Sequence, residues 1–567
     1  MKSLIMKYAA VAALSSAALL AGCIKETAPM GGGATSGQIA ESPFAADGVL
    51  TALPTILMTN YTGTVGEHMD FGYAAIFGMT DRLAGEVFPV SGNMPGGNQY
   101  YDRWQFALYP NNTNGLNANG WGTPFAYTNY YNFIYTANEA ISIFSQGEPG
   151  FELGIAKAFR ALSYLDMARM YDPLPAVADP TATVPNYTIP DAVKGLTVPI
   201  VREGMTIEEL ENNPRATREE IFTFIFEDLD EAEELLAGYT PDSKTMPSLA
   251  VVYGLKARAY LWLGGFNESY ASIPTGDAAY RKAAEYARKA INESGAPITT
   301  EAQYLDKTTG FYTAIASWMW AMIQSTDTVL NNLYSWTAHM SLEALWGYGN
   351  GAQPGISIFS YNRINDNDFR KKHFVNPERN FAAFAPYTNL TEAIFEGDSE
   401  AAGVPSVSVV APMASAKFHP NAGEMVNYTV GNVTDIPLMR VEEMYLIEAE
   451  ATAHYDAGTG RTLLNQFMAN RCPGYTAPAG GDLVDEIIFQ KRIEFWGEGI
   501  IYYDMKRLDM SMHNGDEGTN APPMAQITTK GRAPWWNLVI PLSAVQQNRA
   551  LKDMNNPDPG YTYRSVK

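Results

Sequence analysis

The chain has 567 residues, with 61 acidic and 39 basic side chains and a formal net charge of −22 at pH 7. Such acidity, without any block rich in Lys or Arg, excludes nucleic acid as an expected partner. Two cysteines are too few for a disulfide framework, and neither lies in a cluster with metal-ligand spacing. We therefore expect no disulfide, no metal ligands and no cofactor.

The N-terminus has the pattern of a lipoprotein signal. Two lysines precede an apolar run that is too short to span a bilayer but has the length of a signal-peptide core. The sequence LAGC, ending at Cys23, resembles the bacterial lipobox, in which the chain is cut before the cysteine and the thiol receives a lipid. The sequence predicts a signal peptide at 1–22 and a flexible tether at 23–40 that begins with the lipidated Cys23. An ordinary signal peptide with an incidental cysteine is the alternative.

Helical periodicity recurs along the chain, and several of the periodic segments form consecutive pairs. One segment starts at Thr217 with Glu220 three residues later, which is the pattern of a capping box. A later one stops at Gly264 and Gly265. Spacing of about thirty residues resembles tetratricopeptide pairs. In chain order the predicted helices are 127–144, 154–172, 217–236, 248–265, 277–291, 439–456 and 462–472.

Between the helices lie long segments rich in Gly, Pro, Asn and Thr. These are residues 84–126, 173–214, 293–435 and 511–567. Loops of this length in a compact protein are more often functional than idle. Short apolar runs such as 406–411 are expected to form a few strands. The predicted fold class is mainly α, a tetratricopeptide-like helical-repeat scaffold with long irregular loops and a few short strands.

Five blocks in order, together with the lipobox, resemble the SusD/RagB family of outer-membrane nutrient-binding lipoproteins. The resemblance covers nearly the whole mature chain and rests on shared small residues, arginines and carboxylates. The blocks are YNFIYTANEAI with Ala137-Asn138, AKAFRALSYLDMARMYDPLP with Arg160 and Arg169, DIPLMRVEEMYLIEAEA (435–451), RIEFWGEGIIYYDMKR with Glu498, Gly499, Asp504 and Arg507, and VIPLSAVQQNRALKDMNNPDPGY (539–561).

The chain departs from the family pattern at three positions. Gln490 and Lys491 stand where Glu-Arg is usual, and Ile501 stands where an arginine is frequent. These positions are interpreted as structural, because Glu494 and Glu498 would share one face of a helix and meet nearby cations. The departures therefore concern local packing.

The resemblance implies a SusD-like fold and a single SusD-like domain at 41–567. Within it, an N-terminal family segment would cover 41–237 and a C-terminal segment 245–567, with a ligand-facing insertion at about 293–435. The family also implies lipid anchoring in the outer membrane, facing the cell exterior. Its members cover SusC-like TonB-dependent transporters and deliver oligosaccharides, or peptides in some branches, to them.

A sugar-binding site needs aromatic faces for the apolar side of the ring, with polar groups at the rim for the hydroxyls. Two glycine-containing loops, 93–106 and 334–351, have this mixture. Burial against the scaffold is the competing interpretation for each aromatic residue. The candidate ligand-binding residues are Tyr100, Tyr101, Arg103, Trp104, Trp336, Trp346, Tyr348 and Asn350.

No enzymatic motif was identified. The six histidines are scattered, without a zinc-binding pattern, and no nucleophile elbow is present. The segment NDNDFR (365–370) lacks the glycine of a calcium loop and is interpreted as an Asp-Arg turn. We therefore predict a non-catalytic glycan-binding lipoprotein that works with a SusC-like transporter. The alternatives are a peptide-binding RagB-like member of the family and, third, a lipid-anchored glycosidase.

Overall fold

A computed structural model describes residues 43–59, 68, 70–90, 122–176, 187–328, 332–404 and 406–559. The predicted signal peptide and tether, with Cys23, lie outside these residues, as does the loop containing Tyr100, Tyr101, Arg103 and Trp104. Among the described residues, no helix combines the length and apolar character needed to cross a membrane.

The first half of the chain contains most of the long helices, and a short helix lies among them. They are α1 (Pro43–Leu57), α2 (Tyr73–Leu83), α3 (Gly122–Phe144), α4 (Phe151–Tyr171), α5 (Ile207–Glu211), α6 (Arg218–Leu235), α7 (Leu249–Gly264) and α8 (Gly276–Ser294).

The following segment contains short helices only. They are α9 (Glu301–Tyr304), α10 (Trp336–Met340), α11 (Tyr348–Ala352), α12 (Ile358–Arg363), α13 (Phe381–Phe384), α14 (Glu392–Phe395), α15 (Ser399–Ala402) and α16 (Tyr428–Gly431). The chain then returns to α17 (Val441–Tyr455), α18 (Ala457–Met468), α19 (Leu483–Glu494), α20 (Ile501–Arg507) and α21 (Leu542–Gln547). Single 3₁₀ turns lie at Asp191–Val193, Phe369–His373, Ala385–Tyr387, Asn421–Gly423, Pro523–Ala525, Pro534–Trp536 and Arg549–Leu551.

The predicted helical scaffold is confirmed, and the long helices pack one after another. Contacts join α3 to α4, α4 to α6, α6 to α7, α7 to α8, α8 to α17, and α17 to α18. The capping box at the start of α6 is present, with Thr217 and Glu220 each accepting the other's backbone N–H. Helix α7 ends at Gly264, where a Cβ would lie 2.4 Å from the ring of Tyr280 on α8. The small residue therefore allows the two helices to approach closely.

The described residues contain three two-stranded antiparallel ribbons, two of which connect distant parts of the chain. Strand β1 (Phe88–Pro89) pairs with β5 (Pro354–Gly355), β2 (Leu196–Pro199) with β3 (Arg215–Thr217), and β4 (Trp318–Met322) with β6 (Ile436–Arg440). Residues 436–440 are therefore strand, and the helix predicted at 439–456 begins at Val441.

The strand expected at 406–411 is wrong. Side chains bond several of these backbone groups, and the N–H of Val410 donates to the backbone oxygen of Phe395 at 3.0 Å, so no ladder with a neighbouring strand forms. The N–H of Ser408 donates to Oδ1 of Asn350 at 3.3 Å, and the N–H of Ala411 donates to Oε1 of Gln353 at 2.6 Å. A segment whose donors are satisfied in this way has none left for a ladder.

A buried ion network joins the C-terminal helices and accounts for the charged residues of the family blocks. Glu494 accepts from Arg471 at 2.8 Å and from Arg440 at 3.2 Å, and Glu498 accepts from Arg440 at 2.8 Å. The helix ends at Glu494, so Glu498 does not share a helical face with it as expected. The two carboxylates meet instead through Arg440.

Two of the three departures from the family pattern are accommodated by buried polar contacts, Gln490 beside this network and Lys491 in a separate ion cluster. Lys491 donates to Glu450 at 2.8 Å and also pairs with Asp504. Gln490 donates to Glu486 at 2.8 Å and accepts from Arg370. The interpretation of these positions as structural is consistent with these contacts. Asp368 accepts both the backbone N–H and the guanidinium of Arg370, so the predicted Asp-Arg turn is confirmed.

Candidate functional site

Trp346 provides a rigid aromatic surface in the segment between α10 and α11. Its Nε1–H donates to Oδ1 of Asn432 at 3.0 Å, and the same oxygen accepts from Ser335 at 2.7 Å. The ring lies against Gly431, where a Cβ would be 2.2 Å from the ring edge. The indole is half-buried and fixed at its polar edge, so it presents a preorganised apolar face.

Tyr348 is also half-buried and belongs to a small group of aromatic rings at the start of α11. Its hydroxyl hydrogen-bonds Nδ1 of His68 at 2.5 Å, and its ring centroid lies 5.1 Å from that of His339. Burial, with the Arg82 charge adding to it, lowers the pKa of His339 to about 3. His339 is therefore neutral, and its Nε2–H donates to the backbone oxygens of His68 and Leu333.

The glycines around these rings serve close packing. A Cβ at Gly347 would lie 2.4 Å from the carbonyl oxygen of Ala338, and one at Gly349 would lie 2.0 Å from that of Ser341. At Gly351, by contrast, nothing lies within 4 Å. Helices α10 and α11 therefore hold Trp346 and Tyr348 in place because two glycines let their backbones touch.

Two other candidates from this loop lie in the interior. Trp336 is 3% exposed and packs edge-on against Phe418, with ring centroids 5.2 Å apart. Asn350 is 5% exposed, and its amide bonds the backbone of Leu342 and Ser408. Both residues have structural contacts, so Trp346 and Tyr348 are the two candidates of this loop that reach the surface.

A turn that the sequence did not single out lies beside Trp346. Val426, Tyr428 and Val430 are 56%, 36% and 38% exposed, an unusual series of apolar residues on the surface. Tyr428 and Gly431 are three residues apart on α16, so Tyr428 shares the helical face that contacts Trp346. No local sequence pattern distinguishes Tyr428 from the other tyrosines of the chain. Its position beside Trp346 in the folded protein distinguishes it.

The turn is held in shape by its own polar residues. Glu424 accepts the backbone N–H groups of Val426 and Asn427, both at 2.8 Å, and these bonds lower the pKa of its carboxyl. Oδ1 of Asn427 accepts from Thr429 at 2.8 Å. The turn therefore displays its apolar side chains on a rigid backbone.

The other predicted loop departs from the same place in the fold. Val90, the last described residue before residues 91–121, donates its N–H to Gln353 at 3.0 Å. Gln353 directly follows α11, which carries Tyr348. The ribbon β1–β5 therefore joins the segment leading to Tyr100, Tyr101, Arg103 and Trp104 to the loop containing Trp346.

This face suits an uncharged ligand with apolar and hydroxylated sides. It offers partly exposed indole and phenol rings together with the side-chain amide of Asn427. Within the described ranges, no group of three His, Cys, Asp or Glu residues is arranged to hold a metal ion.

Comparisons with known proteins agree with this architecture. A sequence model described as the SusD family matches residues 413–561. No curated protein matches the sequence significantly. Many solved structures share the fold.

A SusD-like carbohydrate binding protein from Bacteroides vulgatus is 20% identical, with a TM-score of 0.63, over 92% of this chain and 98% of that protein. Surface glycan-binding protein A from Bacteroides uniformis is 15% identical, with a TM-score of 0.59, over 92% of this chain and 100% of its own. A structure solved with a xylogluco-oligosaccharide is 18% identical, with a TM-score of 0.55, over 89% of this chain and 98% of its own.

At these identities the structural likeness concerns the fold, and the sequence match concerns the C-terminal blocks. The matched segment contains Arg440, Glu494 and Glu498 of the buried ion network, and also Arg507, which pairs with Glu450. Residues 413–561 thus match the SusD family model, and the described chain shares its fold with a SusD-like protein.

Proposed function

We propose that this protein is a non-catalytic glycan-binding lipoprotein that captures oligosaccharides and delivers them to a SusC-like TonB-dependent transporter. The observation that carries the proposal is the Trp346 ring, which is partly exposed and fixed at its edge by Asn432. An immobile indole face binds the apolar side of a sugar ring with little loss of side-chain entropy.

The similar proteins support the same ligand class. Two of them are named for binding carbohydrate or glycan, and a third was solved with a xylogluco-oligosaccharide. They share only the fold with this chain, so the choice of ligand rests on the aromatic face.

The proposed ligand-binding residues are Trp346 and Tyr348, with Tyr428 and Asn427 of the neighbouring turn. The turn adds an exposed apolar surface next to the indole. Tyr100, Tyr101, Arg103 and Trp104 complete the proposed site from the second loop. Trp336 and Asn350 support it from within.

The pKa values of two carboxyl groups near this face, Glu424 and Glu343, are consistent with binding without cleavage. A glycosidase needs a carboxylic acid with a raised pKa to protonate the leaving group. Backbone N–H groups lower the pKa of Glu424. Burial would raise the pKa of Glu343, but His419 and the hydroxyl and amide donors around it lower it instead. Neither is therefore suited to act as the general acid.

The proposed location is the outer membrane, facing the cell exterior, with Cys23 as the lipid anchor. The tether at 23–40 would keep the SusD-like domain at 41–567 close to the transporter. Tethering raises the effective concentration of captured ligand at the pore without any further contact.

The experiment compares a double variant, Trp346→Ala with Tyr348→Ala, with wild-type protein that starts after Cys23. Titration calorimetry with malto-, xylo-, manno- and xylogluco-oligosaccharides measures binding, and product analysis measures cleavage. Loss of two stacking rings is expected to weaken binding at least about tenfold. Tyr135→Ala is the control, since this tyrosine is 57% exposed on the distant helix α3.

Three results would contradict parts of the proposal. Binding restricted to peptide digests would assign the protein to the peptide-binding branch. Release of shorter sugars, abolished by changing one carboxylate, would make it a glycosidase. Glycan binding that is the same in the double variant and in Tyr135→Ala would keep the function and refute the site.

A further inference from the structure

We propose that a second cleft, separate from the Trp346 face, is an additional saccharide-binding site on the same chain. This inference rests on the proposed function and adds a second point of contact with a glycan. The cleft lies between α12 and the segment 371–387 and has a volume of about 380 Å³. That volume is within the range of small-ligand pockets, about 300 to 1,000 Å³.

Two tyrosines line the cleft, and each has a lysine ammonium near its ring. Nζ of Lys371 lies 4.7 Å from the ring centroid of Tyr361, and Nζ of Lys372 lies 5.7 Å from that of Tyr387. The arrangement combines aromatic surface with strong hydrogen-bond donors, which suits a ring bearing hydroxyls.

The lysines are held by exposed carboxylates, one within the lining of the cleft and one outside it. Lys371 pairs with Asp366 at 2.6 Å and Lys372 pairs with Glu301 at 2.6 Å. Asp366 and Glu301 are largely in solvent, so these pairs contribute little to stability and mainly orient the ammonium groups. Lys371 also donates to the carbonyl oxygen of Ile364 at 3.0 Å, so each ammonium keeps at least one N–H donor for a ligand hydroxyl.

The opposite wall is a loop with a fixed backbone. Arg379 has φ of +50°, which is strained for a side chain, and its guanidinium bonds the carbonyl of Val410 at 2.6 Å. Oδ1 of Asn376 accepts the N–H of Asn380 at 2.8 Å, and Oδ1 of Asn380 accepts that of Ala383 at 3.2 Å.

These two hydrogen bonds use the side-chain oxygens of Asn376 and Asn380 and do not involve their NH₂ groups. In the described structure, Nδ2 of Asn376 and Nδ2 of Asn380 have no protein partner, and both residues line the cleft. The exposed carboxylate of Glu378 adds acceptors at the same wall. Donors and acceptors therefore stand opposite the two tyrosines.

The charges of the lining indicate an uncharged ligand. Lys371 and Lys372 are matched by Asp366 and Glu378, so the cleft has no excess of either sign. A balanced set of donors and acceptors around aromatic rings fits a neutral saccharide better than an anion.

The two sites share one small apolar core. Phe384 of the cleft packs in the same cluster as Leu342, and Leu345 and Met425 from beside Trp346 pack against that cluster. The distance between the sites is therefore fixed by packed side chains. Two sites on one rigid body increase the avidity for a long glycan by about 10²- to 10⁴-fold over a single site.

The test measures how many equivalents of xylogluco-, malto-, xylo- and manno-oligosaccharide bind per chain by calorimetry. It also measures retention of the parent polysaccharides in affinity gels. Cleft variants are Tyr387→Ala with Glu378→Ala, and the single change Glu378→Lys at an exposed residue. The matched control is Tyr135→Ala with Glu139→Ala, an exposed tyrosine and glutamate on α3.

Two equivalents in wild-type protein and one in both cleft variants are expected, with at least tenfold weaker polysaccharide retention and no change in the control. Cleft-dependent binding that survives Trp346→Ala with Tyr348→Ala would support the second site and relocate the first. A single equivalent, lost with the Trp346 variant and unchanged in both cleft variants, would refute the inference and leave the proposed function intact. Absence of binding to every saccharide would overturn both.

Discussion

Substituting Glu494 tests whether the buried ion network stabilises the C-terminal half of the fold. Its carboxylate is 0% exposed and accepts from Arg471 at 2.8 and 3.0 Å, from Arg440 at 3.2 Å and from Arg370 at 3.2 Å. Glu494→Gln keeps the volume but removes the charge and turns an amide donor toward guanidinium donors. Apart from Glu494, the nearest carboxylate to the Arg471 guanidinium is that of Glu442, at 3.5 Å.

The expected loss follows from leaving buried guanidinium groups short of a counter-charge. Breaking a buried ion pair by removing one partner costs about 3–5 kcal/mol of unfolding free energy. Arg440 and Arg370 keep Glu498 and Asp368, at 2.8 and 2.6 Å, so most of the loss arises at Arg471. We therefore expect Glu494→Gln to lose about 3–5 kcal/mol of unfolding free energy, the cost of one broken ion pair and not of three.

Urea-induced unfolding, followed by tryptophan fluorescence, measures the change in unfolding free energy. The control is Glu285→Gln, because Glu285 also has two cationic partners, Lys282 and Lys289, each at 3.0 Å, but is 44% exposed. Exposed pairs contribute about 0–1 kcal/mol, so this variant should unfold almost like wild type. If Glu494→Gln loses less than about 1 kcal/mol, or no more than Glu285→Gln, the argument from burial is wrong.

Three further predictions concern pH, packing and helix capping. Burial alone would raise the pKa of Glu450, but Arg507 and other cations lower it to about 2 from its ordinary 4.5. The ionised carboxylate therefore contributes its full stabilisation of the fold above about pH 4.5 and loses it as the pH falls toward 2. Urea titrations should show that the difference in unfolding free energy between wild type and Glu450→Gln shrinks over that interval. Gly349→Ala places a methyl group 2.0 Å from a carbonyl oxygen and should lower the unfolding free energy by about 1–3 kcal/mol, measured by thermal unfolding. Gly351→Ala places its methyl group in open space and should cause no such loss. Equal losses in the two variants would refute the close-packing role of Gly349. Thr217→Ala removes the capping box of α6 and should lower the unfolding free energy by about 0.5–2 kcal/mol, and an unchanged urea midpoint would contradict it.

The helical scaffold could be predicted because its signals are local. Thr217 and Glu220 are three residues apart, so a capping box is visible in the sequence and recurs in the structure. The same holds for Gly264 at the end of α7. The run 406–411 shows the limit of this reasoning. Its apolar pattern favours a strand, but the side chains of Asn350 and Gln353 satisfy its backbone donors first.

The aromatic face could be predicted in part. The sequence indicated Trp346 and Tyr348 because glycines flank them, whereas the structure shows that Gly347 and Gly349 permit backbone contact between two short helices. Trp336, on the same loop, is buried against Phe418. Residues ten apart on one loop differ in exposure because of what packs over them, which local sequence does not record.

Local sequence is enough to place most of the long helices and several of their ends, because backbone hydrogen bonds, caps and apolar periodicity act within a few residues. It also contains the five blocks with their arginines and carboxylates. The partners of these side chains depend on the tertiary structure. Arg370 meets Glu494 and Trp346 meets Asn432, across 124 and 86 residues of chain. Contacts at such separation follow from how the helices and ribbons pack together, since that packing decides which side chains are buried and which remain on the surface to bind a ligand.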